Sequence, residues 1–456
     1  MIDKENFKIY FNSDLQIIKG NDEKDFWVYS PKNHRVYYNN IIYLPIIKFL
    51  INQKGIINLK KARKQLKIEK SLLKEQLFLL LKSEVFFKSN KKLSKINKEF
   101  KNILKKIDQK RKKEIDKISI NTAYIHMTRR CNFNCVYCYN SHLEKNITME
   151  LSTKEWINII KKLANNGLEK INITGGEPLL RKDLENIVDK ANNLGIKVDL
   201  LTNGSLLNLK RLKKMENKLN KVIMSFDSFD KKIQSKNRNE KGYSNIIDII
   251  EYFSKYNPKK LIMRAVINNN NIENVKRYKE ILNKKYKIKN IKFVVFIPNN
   301  LEEVALVPDR SVIKNIEEII EKDQFDESLN HKVPFKYYGC GGGLGIIAVD
   351  VNGDIYPCQS FLGYDKFKYC NILESNWKEE MKKSKQRTIL SMLNINKKKE
   401  CNKCNFRYLC GGGCPANSYR IYNSIFEKNH FQCDLLKKEA VKRLKNYPLK
   451  EIKKIK

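Results

Sequence analysis

The placement of the cysteines constrains this chain more than any other feature. There are eleven, and the first 130 residues hold none. Three sit together at Cys131, Cys135 and Cys138. The other eight follow far downstream: Cys340, Cys358, Cys370, Cys401, Cys404, Cys410, Cys414 and Cys433. A secreted disulfide scaffold is short and spreads its cysteines through the fold. This chain has 456 residues, and its opening, Met1-Ile2-Asp3-Lys4-Glu5-Asn6, does not read as a secretion signal. Tight clusters in a long chain point instead to metal ligation, and thiolates at short spacing suit zinc or iron–sulfur clusters.

The length suggests two to four domains at about 100–200 residues each. A hydrophobic fraction of 41% is enough for true cores. The longest apolar run, Ile41 to Ile47, is interrupted by Pro45 and closed by Lys48, far short of the roughly 20 residues of a membrane-spanning helix. A cytoplasmic protein with no membrane partner is expected. The formal charge is +41, but lysine is spread along the whole chain among many Asn and Ile, which reads as a compositional bias. No basic-plus-aromatic recognition motif accompanies it, so nucleic acid is not the expected partner.

Residues 1–90 form a first unit. Short aromatic and β-branched strands are expected at Phe7–Phe11, Asp25–Tyr29 and Arg35–Tyr38, then helices at Ile41–Ile51 and Ser71–Leu81. Residues 91–118 are a charged stretch, read as an exposed helix or linker. From Asn121 the pattern alternates. Strands are expected at Thr122–Met127, Lys170–Thr174, Lys197–Thr202, Lys221–Phe226, Leu261–Ile267 and Ile291–Ile297. Helices fall between them, as at Lys154–Leu163, Leu184–Leu194 and Asn245–Tyr256. Six strands alternating with helices predict a parallel α/β unit over 119–331. An open partial barrel is preferred to a flat sheet, which periodicity does not decide. A Cys-rich region over 332–435 and a basic tail over 436–456 complete the chain.

The run Cys131-x3-Cys135-x2-Cys138 directly follows the first expected strand. Three thiolates on one loop can hold three irons of a four-iron cubane and leave the fourth open to a small molecule. A structural zinc site wants a fourth protein ligand; His126 could supply one but lies within the strand. Gly175-Gly176-Glu177-Pro178 follows the second strand. Glycines admit close approach of a backbone, and a carboxylate suits an ammonium. With these motifs the chain resembles the radical S-adenosylmethionine (radical SAM) superfamily.

That resemblance implies reductive cleavage of SAM to a 5′-deoxyadenosyl radical. It implies that Gly175, Gly176 and Glu177 contact the SAM amino group and that Tyr137 lies against adenine. It also implies that Thr202 and Asn203, with Ser225 and Asp227, line the ribose and methionine part of the site. Arg238 would pair with the SAM carboxylate, as a bidentate guanidinium can. Here the chain departs from the family, with Asp227-Ser228 and Arg238-Asn239 where Asp-Gly and Arg-Gly are usual. No general acid or base can be named.

The series Cys340…Gly353-x4-Cys358…Cys401-x2-Cys404-x5-Cys410-x3-Cys414…Cys433 resembles the SPASM extension of radical SAM maturases. By that resemblance Cys401, Cys404, Cys410 and Cys433 hold one auxiliary four-iron cluster. Cys340, Cys358 and Cys414 hold another, whose fourth site is open or filled by Cys370. Three [4Fe-4S] clusters are therefore expected.

The N-terminal unit resembles, in architecture, the winged-helix-like domains that hold leader peptides by adding a strand to a sheet. The whole chain is thus read as an α/β protein. A partial (β/α)6 TIM-like barrel lies between an N-terminal peptide-recognition domain and a C-terminal iron–sulfur SPASM domain. The function implied is maturation of a ribosomally made precursor peptide, most specifically thioether formation from a peptide cysteine. A ferredoxin or flavodoxin would serve as reductant. Carbon–carbon crosslinking or epimerisation of a peptide, and radical SAM modification of RNA, are the alternatives.

Overall fold

The computed structural model describes residues 6–19, 25–32, 35–40, 44–54, 56–66, 85–87, 90–144, 149–309 and 336–445, with Leu73, Leu77 and Leu80. The strands among the described residues are β1 Asn6–Lys8, β2 Gln16–Lys19, β3 Asp25–Ser30, β4 Arg35–Asn40, β5 Ile56–Asn58, β6 Thr122–His126, β7 Lys170–Thr174, β8 Lys197–Thr202, β9 Leu219–Ser225, β10 Leu261–Ile267, β11 Ile291–Val295, β12 Ile346–Val349, β13 Asp354–Tyr356 and β14 Cys370–Asn371.

β6 to β11 pair side by side, in chain order and all parallel. The helices between them carry one apolar face at helical spacing. In Thr153–Ala164 that face is Trp156, Ile159, Ile160 and Leu163. In Leu184–Asn193 it is Leu184, Ile187, Val188 and Ala191, and in Tyr243–Tyr256 it is Ile246, Ile249, Ile250 and Phe253. These rows share one core with the strands. Ser152 and Glu155 start the first of these helices with a reciprocal capping box, Ser152 N donating to Glu155 at 2.7 Å.

The barrel is open: β11 does not pair with β6. The free edge of β6 instead pairs in parallel with β12, and β13 and β14 extend the sheet antiparallel. The Cys-rich region is therefore built onto the barrel sheet, which covers an otherwise exposed strand edge.

In the N-terminal unit β2, β3 and β4 form an antiparallel sheet and β1 pairs with β5. The alternation along β3 divides its faces. Val28 packs with Ile46, Ile47, Leu50, Leu73, Leu77 and Leu80 of the unit's own core. Trp27 and Tyr29 point the other way and pack with Leu409 of the Cys-rich region and Ala440 of the tail. Leu73, Leu77 and Leu80 are helical and buried; the rest of the expected helix Ser71–Leu81 lies outside the described residues. So do 310–335, which span the expected boundary between barrel and Cys-rich region, and 446–456 of the tail.

The stretch expected to be an exposed helix or linker is the helix Asn90–Ile115, and it has a buried face. Phe100 and Leu104 pack with Tyr337, Ile395, Cys401 and Tyr408. No described helix is long and apolar enough to cross a membrane.

Candidate functional site

Cys131, Cys135 and Cys138 lie on the loop that leaves β6, at the C-terminal mouth of the barrel. The next strand holds this loop by backbone contact. Gly176 N donates to Thr128 O at 2.7 Å and Glu177 N to Arg130 O at 2.9 Å. Gly175 has φ +142°, and a Cβ there would overlap Thr128 O; a Cβ on Gly176 would overlap Arg130 O. The glycines that the sequence reading assigned to a ligand thus first admit the cysteine loop itself. Val136 N donates to Asn237 O at 3.0 Å on the far side.

The three thiols are partly buried and within electrostatic reach of one another. Burial raises the Cys131 thiol to about 11, against a hydrogen bond from Phe133 N. Burial raises Cys135 too, opposed by the Arg238 guanidinium. Bound iron is the cation that would keep such thiols deprotonated.

Glu177 is 1% exposed. One carboxylate oxygen accepts from Thr202 Oγ1 at 2.7 Å and Leu179 N at 3.1 Å; the other accepts from Asn203 N at 2.8 Å. Burial raises its pKa while these three donors pull it down. Asn203 Nδ2 donates to Asn132 Oδ1 at 3.0 Å, and Asn132 Nδ2 to Ser205 Oγ at 2.9 Å. The cysteine loop is thereby tied to the end of β8. Sequence reasoning passed over Asn132 and Ser205, although both stand inside or beside motifs it used.

Arg238 Nε donates to Tyr137 Oη at 2.7 Å and Nη1 to Ser225 O at 2.8 Å. The guanidinium lies 5.6 Å from the Tyr137 ring centre. Tyr137 in turn hydrogen-bonds Asp227, which stands 3.7 Å from Arg238 Nε. Asp227 also accepts from Val266 N at 3.1 Å and Asn237 Nδ2 at 3.3 Å. Burial raises the Asp227 carboxyl, opposed first by Arg238. Arg238 Nη2 makes no hydrogen bond among the described residues, so one edge of the fork is left for a ligand. The fully buried Asn237 gave no sequence signal. All the expected SAM residues, Tyr137, Gly175, Gly176, Glu177, Thr202, Asn203, Ser225, Asp227 and Arg238, therefore gather at one mouth of the sheet, where barrel enzymes build their sites.

Downstream, the thiols fall into two groups. Cys340, Cys358 and Cys414 are electrostatic neighbours. So are Cys401, Cys404, Cys410 and Cys433, which line a cavity of about 430 Å³ with Asn429 and Lys428. The divide runs between Cys410 and Cys414. Gly411, Gly412 and Gly413 have φ of +77°, +77° and +72°, a left-handed run that only glycine adopts freely. It swings Cys414 away from the set that contains Cys410.

Cys370 joins neither group. It sits on β14 in the barrel core, its Sγ 3.3 Å from Trp377 O, with Glu380, Glu374 and Asp354 as its charged neighbours. Its reading as an auxiliary ligand finds no geometric support. Among the described residues no three His, Cys, Asp or Glu side chains converge on a single ion position. A cubane asks for something else, since it takes each thiolate at a separate corner. The grouped thiols and the cavity fit such clusters.

Residues 125–282 match the model of the radical SAM superfamily. An uncharacterised protein of Archaeoglobus fulgidus is 26% identical over 343 residues, 71% of this chain and 81% of that protein. A GTP 3′,8-cyclase of Campylobacter jejuni is 46% identical over 70 residues, only 14% of this chain and 21% of the cyclase. In fold, Streptococcus suis SuiB bound to precursor peptide SuiA matches with TM-score 0.56 at 16% identity, over 92% of this chain and 98% of that one. The protein anSMEcpe with bound AdoMet matches with TM-score 0.57 at 20% identity, over 74% and 95%.

Proposed function

We propose that this chain, which carries a radical SAM domain on residues 125–282, is an enzyme that matures a ribosomally made peptide. Its most specific form would be thioether formation from a peptide cysteine. The observation that carries the peptide reading is the extent of the likeness to peptide-bound SuiB. At 92% of the chain it is too broad to leave out the N-terminal unit. That unit would be the leader-recognition domain, with its sheet offering an edge to an extended peptide.

When bound, the first cluster supplies the electron and SAM the organic radical that takes hydrogen from the substrate. The rest is done by the protein. Cys131, Cys135 and Cys138 would hold three cluster corners. Glu177, aligned by Thr202 and Asn203, would receive the SAM ammonium, and the free Nη2 edge of Arg238 its carboxylate. Tyr137, fixed between Arg238 and Asp227, would wall the adenine side. Cys401, Cys404, Cys410 and Cys433 would hold one auxiliary cluster and Cys340, Cys358 and Cys414 the other. The second set offers three protein thiolates, which leaves a corner for a substrate thiolate.

The test is anaerobic reconstitution with iron and sulfide, then incubation with SAM and dithionite. Release of 5′-deoxyadenosine is expected, and its absence would overturn the reading. Coexpression with a Cys-containing peptide encoded beside the gene should lower the peptide mass by two hydrogens per thioether. An unchanged mass would overturn the thioether assignment.

A further inference from the structure

Lys398 is 2% exposed, and no other described lysine is so deeply buried. It follows the turn Ile395–Lys397 and reaches behind the glycine run that separates the two downstream cysteine groups. Its Nζ donates to Gly412 O at 2.8 Å and Ser418 Oγ at 3.3 Å. Gly412 is the middle glycine of that run. A Cβ there would stand 3.0 Å from Lys398 Cδ and 3.8 Å from Cys401 Sγ.

Both hydrogen-bond partners are neutral, and among the described residues Lys398 forms no ion pair with a carboxylate. Among the described residues, the groups near it that become anionic are the side chains of Cys401, Cys414, Cys410 and Cys340, once iron holds them as thiolates. Two of these belong to each cysteine set. A buried ammonium without a counter-charge is costly. Two thiolate-held cubanes set side by side carry net negative charge and repel each other. The two costs offset one another if the ammonium lies between the clusters.

We propose that Lys398 is the shared counter-cation of the two auxiliary clusters, raising the reduction potential of both. The inference rests on the two-cluster reading given above. Each cluster gains one electron from an external reductant, flavodoxin-like in the cell or dithionite in vitro, and no bond forms or breaks. The reduced form is one unit more negative, so a fixed positive charge nearby stabilises it more than the oxidised form. Lys398 is a positioning residue, since it touches neither SAM nor substrate.

The test uses the full chain with Cys131, Cys135 and Cys138 replaced by Ala, so that only auxiliary clusters contribute to the spectrum. Lys398→Met and Lys398→Gln remove the charge; Lys398→Arg keeps it. Iron is counted and EPR-monitored redox titrations are run on each. The lysine parent should hold about eight irons, four per auxiliary cluster. Midpoint potentials should fall in the Met and Gln variants and stay near the parent in the Arg variant. Loss of auxiliary iron in both neutral variants, with retention in the Arg variant, would equally support a need for the charge. Full iron with unmoved potentials in the neutral variants would overturn the inference and leave the cluster reading standing. Iron loss in all three variants would overturn it in favour of simple packing. A parent without auxiliary iron would overturn the cluster reading, and the inference with it.

Discussion

Replacing Gly176 by Ala tests whether the end of β7 anchors the cysteine loop. The added Cβ would stand 2.5 Å from Arg130 C and 2.7 Å from Arg129 O, where ordinary contact begins at 3.4 Å. These are backbone atoms that cannot rotate aside, and Arg130 O stands closer still, so the loop must retreat by more than about 0.9 Å, which takes it past hydrogen-bonding range of Gly176 and Glu177. The bonds lost are Gly176 N to Thr128 O at 2.7 Å and Glu177 N to Arg130 O at 2.9 Å. At about 1 kcal/mol net for each, the docked loop loses about 2 kcal/mol. If SAM binds only the docked loop and docking is near balance before SAM arrives, its affinity falls by up to about 30-fold. The assay is equilibrium dialysis of SAM against reconstituted protein, with the iron content measured alongside. Affinity within threefold of the parent at full iron content would refute the anchoring argument.

Three further outcomes are expected. His126 is fully buried, neither ring nitrogen has a hydrogen-bond partner among the described residues, and burial pushes its pKa down to about 4, with Asp350 opposing and Arg129 and His142 reinforcing. Its folded value lies below the unfolded one, so the unfolded chain takes up the extra proton as pH falls from 6.5 toward 4, and stability drops by about 3 kcal/mol across that window. Urea midpoints of the parent should therefore fall more steeply with acid than those of His126→Gln, and equal slopes would contradict the assignment. Cys370→Ser should leave the iron content unchanged while lowering the melting temperature by a few degrees, since about 1 kcal/mol of core packing is disturbed; loss of iron would restore Cys370 as a ligand. Arg387, fully buried, donates to Gly343 O at 2.8 Å, Ile115 O at 2.6 Å and Lys117 O at 3.2 Å. Arg387→Met strands these carbonyls and should cost about 3 kcal/mol, with faster hydrogen exchange at the end of the helix Asn90–Ile115; unchanged exchange there would count against that bracing role.

Local pattern determined much of this protein. The six barrel strands and their helices were legible because period-2 and period-3.6 burial are written in neighbouring residues; β7, β8 and β10 run as the spacing predicts. The spacing of Cys131, Cys135 and Cys138 and the run Gly175-Gly176-Glu177 marked the candidate site for the same reason, as each motif occupies one loop. β2 and β5 escaped notice because four and three residues carry too little alternation. What remained depended on contacts between distant residues. The charged stretch 91–118 showed no strong apolar row, yet Phe100 and Leu104 are buried because the Cys-rich region folds against them. Tyr137 and Arg238 stand 101 residues apart and meet only because β6 and β9 share a sheet. Spacing set Cys370 outside the SPASM-like series without saying where it lies, and β14 carries it into the barrel core. Burial and charge pairing are properties of the whole folded chain, so spacing along the sequence could nominate these residues but could not tell which of them would meet.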